Sequence, residues 1–218
     1  MNIKIKKTWL IAEFLLLFFG LPLALYFSNR IKQIHPVLLL LPVFLFFLLY
    51  FRQKKDFSFK SFLRFDISSK TILKNAGLIL LASIALLAYV YLFERENMFN
   101  LPRKNTRLYI VMMVGYPLIS AFIQEVIYRV FIFRRYSRIF TNKNLMIFAS
   151  ALAFSFVHIV YFSPFAIAAT FLAGIYFAYI YEKTKSVLFT TVLHGFIGNV
   201  VFTVGLGHHF WQNMQQYL

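Results

Sequence analysis

Several ionisable side chains lie in stretches of this chain that are otherwise apolar, among them Glu125, Arg129, His158 and His194. An ionisable side chain at the centre of a bilayer costs about 2.5–3.5 kcal/mol on insertion scales. Such groups persist in apolar spans where they pair with one another, face a wet cavity or carry out chemistry. These four residues are therefore the first candidates for a functional site.

Glu125 and Arg129 form an acid–base pair with helical spacing. Four residues apart, they share one helix face, and the acid precedes the base, which is the favoured order. Gln124 is rotated by about 100° from Glu125 and points to a neighbouring face. Two interpretations stay open: a structural ion pair that clamps the helices together, or support for a site next to Gln124.

Each histidine has a distinctive setting. Phe154 precedes His158 by one helical turn, so its ring can lie against the imidazole and limit the access of water. A single histidine in an apolar helix is also typical of a hydrogen-bonded packing residue. His194 is followed within five residues by two glycines and Asn199, and small residues allow helices to approach closely.

The depth of these residues favours one shared site. At a rise of about 1.5 Å per residue, Gln124 lies about 14 Å, His158 about 20 Å and His194 about 10 Å from the inner ends of their spans. Three helices then bring polar groups to similar levels near the bilayer midplane. We expect Gln124, Glu125, His158, His194 and Asn199 to line one buried polar cavity.

The composition indicates an integral membrane protein. Of 218 residues, 61% are hydrophobic and only 14% are charged, and the mean hydropathy is +0.71. A soluble domain is closer to half apolar and a quarter charged. No polar segment is long enough to bury a core of its own, so residues 1–218 are predicted to form one membrane domain.

The predicted fold class is all-α: a polytopic bundle of about seven transmembrane helices, or eight if a segment near Met98–Arg107 adds one. The basic N-terminus resembles a signal peptide, but the apolar run after it is long enough to span and has no cleavage site of small residues. We expect a retained first helix. The predicted spans are Trp9–Phe27, Val37–Phe51, Ile72–Phe93, Leu108–Phe133, Leu145–Phe162, Pro164–Tyr181 and Val187–Gly205.

The charge of +16 is distributed like that of a membrane protein. Lysine and arginine cluster between alternate spans rather than along one stripe, which excludes a nucleic-acid partner and predicts a cytoplasmic N-terminus. The absence of cysteine excludes disulfides, thiolate catalysis and cysteine-ligated zinc within this chain.

The motif residues resemble the CPBP family, which contains CAAX prenyl endoproteases and bacteriocin-processing or immunity membrane proteins. The family carries Glu-Glu-x-x-x-Arg, Phe-x-x-x-His and His-x-x-x-Asn (or Asp) on successive helices. Here the matching residues are Gln124-Glu125 with Arg129, Phe154 with His158, and His194 with Asn199. The motif-bearing core covers about 108–205.

Two departures from the family pattern bear on activity. Gln124 stands where the family has its first glutamate, taken as the catalytic base, and a carboxamide cannot accept a proton at neutral pH. The chain as written is therefore expected to be inactive, either as a natural non-catalytic protein or after a deliberate change of Glu to Gln. In addition, the family pattern places Asn four residues after His, but here Gly198 occupies that position and Asn199 follows it by one residue.

The resemblance implies an intramembrane endopeptidase of the glutamate type, acting on membrane-anchored proteins near a hydrophobic or C-terminal anchor, in the bacterial cytoplasmic membrane. A glutamate at position 124 and His158 would activate water. His194 and Asn199 would stabilise the oxyanion, while Glu125, Arg129 and Phe154 would support the site. No cofactor is implied.

Two alternatives remain. Two histidines and a carboxylate can bind Zn²⁺, although the chain has no H-E-x-x-H motif. The second alternative is a non-catalytic scaffold or immunity protein that binds a membrane partner. Gln124 favours this alternative.

Overall fold

The computed structural model describes residues 6–28, 44–45, 47, 49–53 and 59–211. Within these ranges the chain is helical and contains no strand, as the apolar spans predict. The helices are α1 (Lys7–Phe27), α2 (Ser69–Phe93), α3 (Asn100–Lys104), α4 (Thr106–Arg135), α5 (Lys143–Phe156), α6 (Pro164–Thr184) and α7 (Val187–Val204). Short 3₁₀ turns follow α5 at Val157–Tyr161 and α7 at Leu206–His209.

Six described helices are long and apolar enough to cross a membrane: α1, α2, α4, α5 with its 3₁₀ turn, α6 and α7. They confirm six of the predicted spans to within a few residues. The predicted span Val37–Phe51 lies largely outside the described residues. The region Met98–Arg107 contains α3 and the first two residues of α4. The five residues of α3 extend about 7.5 Å and cannot span a bilayer. An eighth span is therefore not formed there.

Side-chain caps define where most of these helices begin. The hydroxyl of Ser68 accepts the Thr71 backbone N–H at the start of α2, and Asn105 caps α4 in the same way. The same kind of cap starts the last three helices, from Asn142, Ser163 and Ser186. Each cap satisfies a backbone donor that has no partner within its helix.

Helix α7 is the centre of the bundle. Over its apolar stretch 61% of the residues are buried, against 6% for α2, whose leucines face outward. Gly198 permits this central position, because a Cβ there would lie 2.0 Å from the ring of Tyr116 on α4. Gly195 similarly receives Pro117, whose side chain would be 2.7 Å from an added Cβ. The predicted close packing at the two glycines of α7 is confirmed.

Candidate functional site

Helix α4 changes its winding on both sides of Gln124 and Glu125. The segments Tyr116–Ala121 and Val126–Phe131 are π-helical, and the two residues lie in the single α-helical turn between them. A π-helical turn widens the helix and is frequently found at functional sites. Gln124 and Glu125 are both buried and point to neighbouring faces of α4.

The Glu125 carboxylate is fully buried and shared between two cationic or polar partners. Its Oε2 lies 3.2 Å from Nε of Arg129, which is also fully buried. Its Oε1 lies 2.9 Å from Nδ1 of His194 on α7. The ion pair predicted from the four-residue spacing is therefore present, and it also connects α4 to α7.

Arg129 is held in place by groups from α5. Its Nη1 donates to the Ser150 hydroxyl over 3.2 Å, and that hydroxyl donates to the Tyr128 carbonyl over 2.8 Å. The guanidinium carbon lies 5.0 Å from the ring centroid of Phe154, in the range of a cation–π contact. Removal of Arg129 would leave the Glu125 carboxylate without its permanent positive charge.

His194 has a partner on each ring nitrogen. Because the Glu125 carboxylate only accepts, Nδ1 carries a proton and donates to it. Nε2 lies 3.0 Å from the Tyr116 hydroxyl, which donates to it when the ring is neutral. The imidazole stacks on Phe177 at a centroid distance of 4.7 Å. These contacts fix both the tautomer and the orientation of the ring.

His158 is oriented by its own helix. Its Nδ1 donates to the Phe154 carbonyl over 2.7 Å, so in the neutral ring Nε2 keeps its lone pair. The Phe154 ring makes edge contacts with both imidazoles, at 5.0 Å from His158 and 5.5 Å from His194. Phe154 thus lies against His158 as the spacing predicts, and it reaches His194 as well.

A cavity of about 300 Å³ collects the polar groups of three spans. Gln124, His158 and His194 line it, together with four hydroxyl-bearing residues and an otherwise mostly apolar wall. The hydroxyls belong to Tyr116, Ser120, Tyr161 and Thr170. Glu125 is not among the lining residues, and its carboxylate contacts Nδ1 of His194. The Gln124 amide donates to Ser120 over 2.8 Å.

Asn199 lies apart from this cavity lining. Its amide donates to the Met113 carbonyl over 3.0 Å and connects α7 to α4. Because α7 is regular from Val187 to Val204, no irregularity compensates for the extra residue after His194. The structure therefore brings together Gln124, His158 and His194, and it places Glu125 and Asn199 outside their cavity.

Among the lining residues that the sequence did not single out, two that bear hydroxyls lie on the same helix as Gln124. Tyr116 and Ser120 precede Gln124 by eight and four residues, a spacing that indicates one helix face. This periodicity was the available signal. Their contacts with Gln124 and His194 also depend on how α4 packs against α7, which the spacing alone does not give.

The fold and the site define a polytopic membrane protein with two histidines around a buried cavity. Residues 106–201 match the family model described as Rce1-like, Type II CAAX prenyl endopeptidase Rce1-like. The matched segment runs from the start of α4 into α7 and contains all three motifs. This match covers 96 of the 218 residues and supports membership of the CPBP family. The matched family is in general terms one of CAAX-protease-type membrane endopeptidases. No curated protein matches the chain. No solved structure matches it either.

Proposed function

We propose that this chain has the architecture of an intramembrane endopeptidase for membrane-anchored protein substrates, and that Gln124 makes it inactive as written. The observation that carries the proposal is the convergence of Gln124, His158 and His194 on one cavity inside the segment that matches the family. The cavity is buried among membrane-spanning helices, so a hydrophobic or lipidated anchor would approach it from the bilayer. Substrates without an anchor would be poor ones.

The proposed mechanism assigns one role to each group. A glutamate at position 124 would accept a proton from water, and the free Nε2 of His158 would help to orient that water. His194 would stabilise the oxyanion as a doubly protonated ring, whose Nδ1–H donates to Glu125 and whose Nε2–H donates to the oxyanion. The Tyr116 hydroxyl lies 3.0 Å from that nitrogen. Once Nε2 is protonated, its O–H no longer donates to His194 and would be a better placed second donor than Asn199.

The second candidate function is a non-catalytic membrane protein that binds its partner without cutting it. One observation favours it: position 124 holds a carboxamide, whose –NH₂ group donates to the Ser120 hydroxyl, whereas a glutamate there would accept a hydrogen bond from that hydroxyl. This bond gives the glutamine a structural role of its own.

The test is the substitution Gln124→Glu in the full chain, reconstituted in liposomes. Two anchored substrates are compared: a peptide with a prenylated cysteine near its C-terminus, and the same peptide on a transmembrane anchor. We expect cleavage of at least one to rise by about 10²–10⁴, the contribution of a general base. The matched control is Gln53→Glu, the same chemical change at an exposed position. His158→Ala or His194→Ala in the Gln124→Glu chain should abolish the gain.

Three outcomes separate the candidates. Equal cleavage before and after Gln124→Glu would show that position 124 is not the base and would direct attention to Glu125. No cleavage of either substrate by either form would favour the non-catalytic function. Loss of the restored activity with a chelator, and its recovery with Zn²⁺, would favour metal-dependent hydrolysis at His158 and His194.

We further propose that the chain lies in the bacterial cytoplasmic membrane with a cytoplasmic N-terminus. The support is the position of the basic residues: Arg134, Arg135, Lys143 and Lys185 all lie at one end of the bundle. Because the chain has no cysteine, single cysteines can report orientation. In intact cells, Arg95→Cys should react with an impermeant thiol reagent and Lys183→Cys should not. The reverse pattern would contradict this orientation.

A further inference from the structure

A second group of polar side chains lies at the opposite end of the bundle from these basic residues. Glu94 follows the last residue of α2, and His208 and His209 form the 3₁₀ turn after α7. We call Glu94, His208 and His209 the helix-end cluster. Ser163, which caps α6, contacts this cluster as well. The cluster therefore joins the ends of three membrane-spanning helices.

The carboxylate of Glu94 places one oxygen against each imidazole. Oε1 lies 2.9 Å from Nε2 of His209, and Oε2 lies 3.2 Å from Nε2 of His208. The three residues each offer a ligand atom within 4.8 Å of the others. Ligands at about 2.0–2.2 Å from a tetrahedral zinc ion are roughly 3.3–3.6 Å apart. The distances from the Glu94 oxygens to the two imidazole nitrogens are close to this spacing.

Both imidazoles are oriented as metal ligands are. The Nδ1 of His208 donates to the Gly205 carbonyl over 3.0 Å. The Nδ1 of His209 lies 2.8 Å from the Ser163 hydroxyl. Metal-binding histidines use one ring nitrogen on the ion and the other on such a carbonyl, carboxylate or water partner. Here both Nε2 atoms are directed to the same carboxylate.

The backbone fixes this arrangement before any ligand binds. Gly205 has φ +114°, and a Cβ there would lie 2.0 Å from the Asn97 carbonyl oxygen. The Phe99 N–H donates to the Val204 carbonyl over 3.1 Å, which connects the segment after α2 to the end of α7. The turn that carries the two histidines is thus built against the segment that carries Glu94.

The hydrogen-bond pattern calls for a cation between the groups. A backbone carbonyl only accepts, so Nδ1 of His208 carries the proton and the neutral ring has a lone pair at Nε2. That lone pair faces a carboxylate oxygen 3.2 Å away. Two acceptors in contact are mutually unfavourable unless a proton or a metal ion lies between them. Two imidazoles and one carboxylate suit a zinc-like ion better than Mg²⁺ or Ca²⁺.

We infer that the helix-end cluster binds a divalent transition-metal ion of the zinc class through Glu94, His208 and His209. The side chains are 16%, 22% and 18% exposed, so an ion can enter and a water molecule can complete the coordination. The bound ion would connect the ends of α2 and α7 beside the start of α6. This inference is independent of the proposed peptidase activity, since it involves none of the residues of the cavity.

The test is metal binding by the purified full chain in detergent after removal of metal with a chelator. Zn²⁺ is titrated by calorimetry, with Mg²⁺ and Ca²⁺ as comparison ions. We expect one tight zinc site per chain that Mg²⁺ and Ca²⁺ do not occupy. His208→Asn keeps a group that can donate to the Gly205 carbonyl but lacks Nε2. This variant and Glu94→Gln should each weaken zinc binding by at least about 100-fold, because loss of even a supporting partner costs 10–100-fold.

The control is Glu96→Gln, which removes a neighbouring exposed carboxylate and should leave zinc affinity unchanged. X-ray absorption of the zinc-loaded chain should show two imidazoles in the first coordination shell. The inference is overturned if the chain binds no zinc, if binding persists in Glu94→Gln and His208→Asn, or if only one imidazole is found. Zinc retained in these variants but lost in His158→Asn would place the ion in the cavity instead.

Discussion

Two glutamates of this chain meet histidines at the same distance but in different surroundings. Glu125 lies 2.9 Å from a ring nitrogen of His194, and Glu94 lies 2.9 Å from one of His209. We call Glu125, Arg129 and His194 the buried cluster. There the second carboxylate oxygen faces a fully buried guanidinium, whereas in the helix-end cluster it faces a second imidazole. The buried cluster therefore contains a permanent cation, the guanidinium of Arg129. The helix-end cluster contains no permanent cation, and its two imidazoles can balance the carboxylate only by taking up a proton or a metal ion.

The ring nitrogen that faces the carboxylate differs as well. In the buried cluster it is Nδ1, so Nε2 of His194 is directed to the cavity and Tyr116. In the helix-end cluster it is Nε2 of both histidines. Because both Nε2 atoms face Glu94, neither is directed to a substrate. The first orientation suits proton transfer and oxyanion binding, and the second suits metal ligation. The same two residue types are therefore arranged in two geometries that suit different chemistry.

The largest expected effect is that of Arg129→Leu, which tests whether the buried cluster depends on its permanent cation. It leaves the buried Glu125 carboxylate without its cation, and we expect the free energy of unfolding to fall by about 3–5 kcal/mol. Unfolding in detergent, followed by circular dichroism, measures the loss. Adding Glu125→Gln to Arg129→Leu should recover part of it, since no buried charge then remains. A loss below about 1 kcal/mol would show that the pair is hydrated.

Tyr116→Phe sharpens the comparison at the cavity. It removes the hydroxyl on Nε2 of His194 and keeps the ring that packs against Gly198. We expect the free energy of unfolding to fall by about 1 kcal/mol, the net contribution of one hydrogen bond. In the Gln124→Glu chain, kcat should fall by more than KM changes, because an oxyanion donor acts mainly in the transition state.

The control for this prediction is Tyr109→Phe, which removes a hydroxyl bonded to Thr203 outside the cavity lining. It should cost similar stability and leave kcat of the Gln124→Glu chain unchanged. Equal loss of kcat in both tyrosine variants would argue that Tyr116 acts only through packing.

The smallest expected effect is that of Glu94→Gln in the metal-free chain. Because this carboxylate is partly exposed and its partners are histidines, we expect a loss of about 0–1 kcal/mol in the free energy of unfolding. Saturating zinc should widen the difference between Glu94→Gln and the unchanged chain. If Glu94→Gln lowered the free energy of unfolding of the metal-free chain as much as Arg129→Leu does, the two clusters would contribute equally to stability. That result would contradict the difference described above.

The sequence predicted the spans and the local pairs well, for physical reasons. Apolar runs of membrane length can form only helices, and a four-residue spacing places Glu125 and Arg129 on one face. It could not give the contact between Glu125 and His194, because that contact depends on the rotation of α4 relative to α7. The position of Asn199 followed the register of a regular helix: one extra residue turns it by about 100° toward Met113. The catalytic roles of these residues stay predictions.

The helix-end cluster was beyond sequence reasoning for a related reason. Glu94 and the two histidines are more than a hundred residues apart in the chain. Two adjacent histidines after an apolar span indicate nothing by themselves. Their shared direction comes from Gly205 and Ser163, whose contacts appear only once α2, α6 and α7 are packed together.

The position of the Phe154 ring has a consequence for proton traffic. It touches both imidazoles, yet an aromatic ring relays no protons, and the Nδ1 of each histidine bonds away from the other. Any proton wire between His158 and His194 must therefore run through the cavity, by way of its hydroxyl groups or of water. A ligand that fills the cavity would cut this wire and isolate the two imidazoles, each keeping the protonation state it had at the moment of binding.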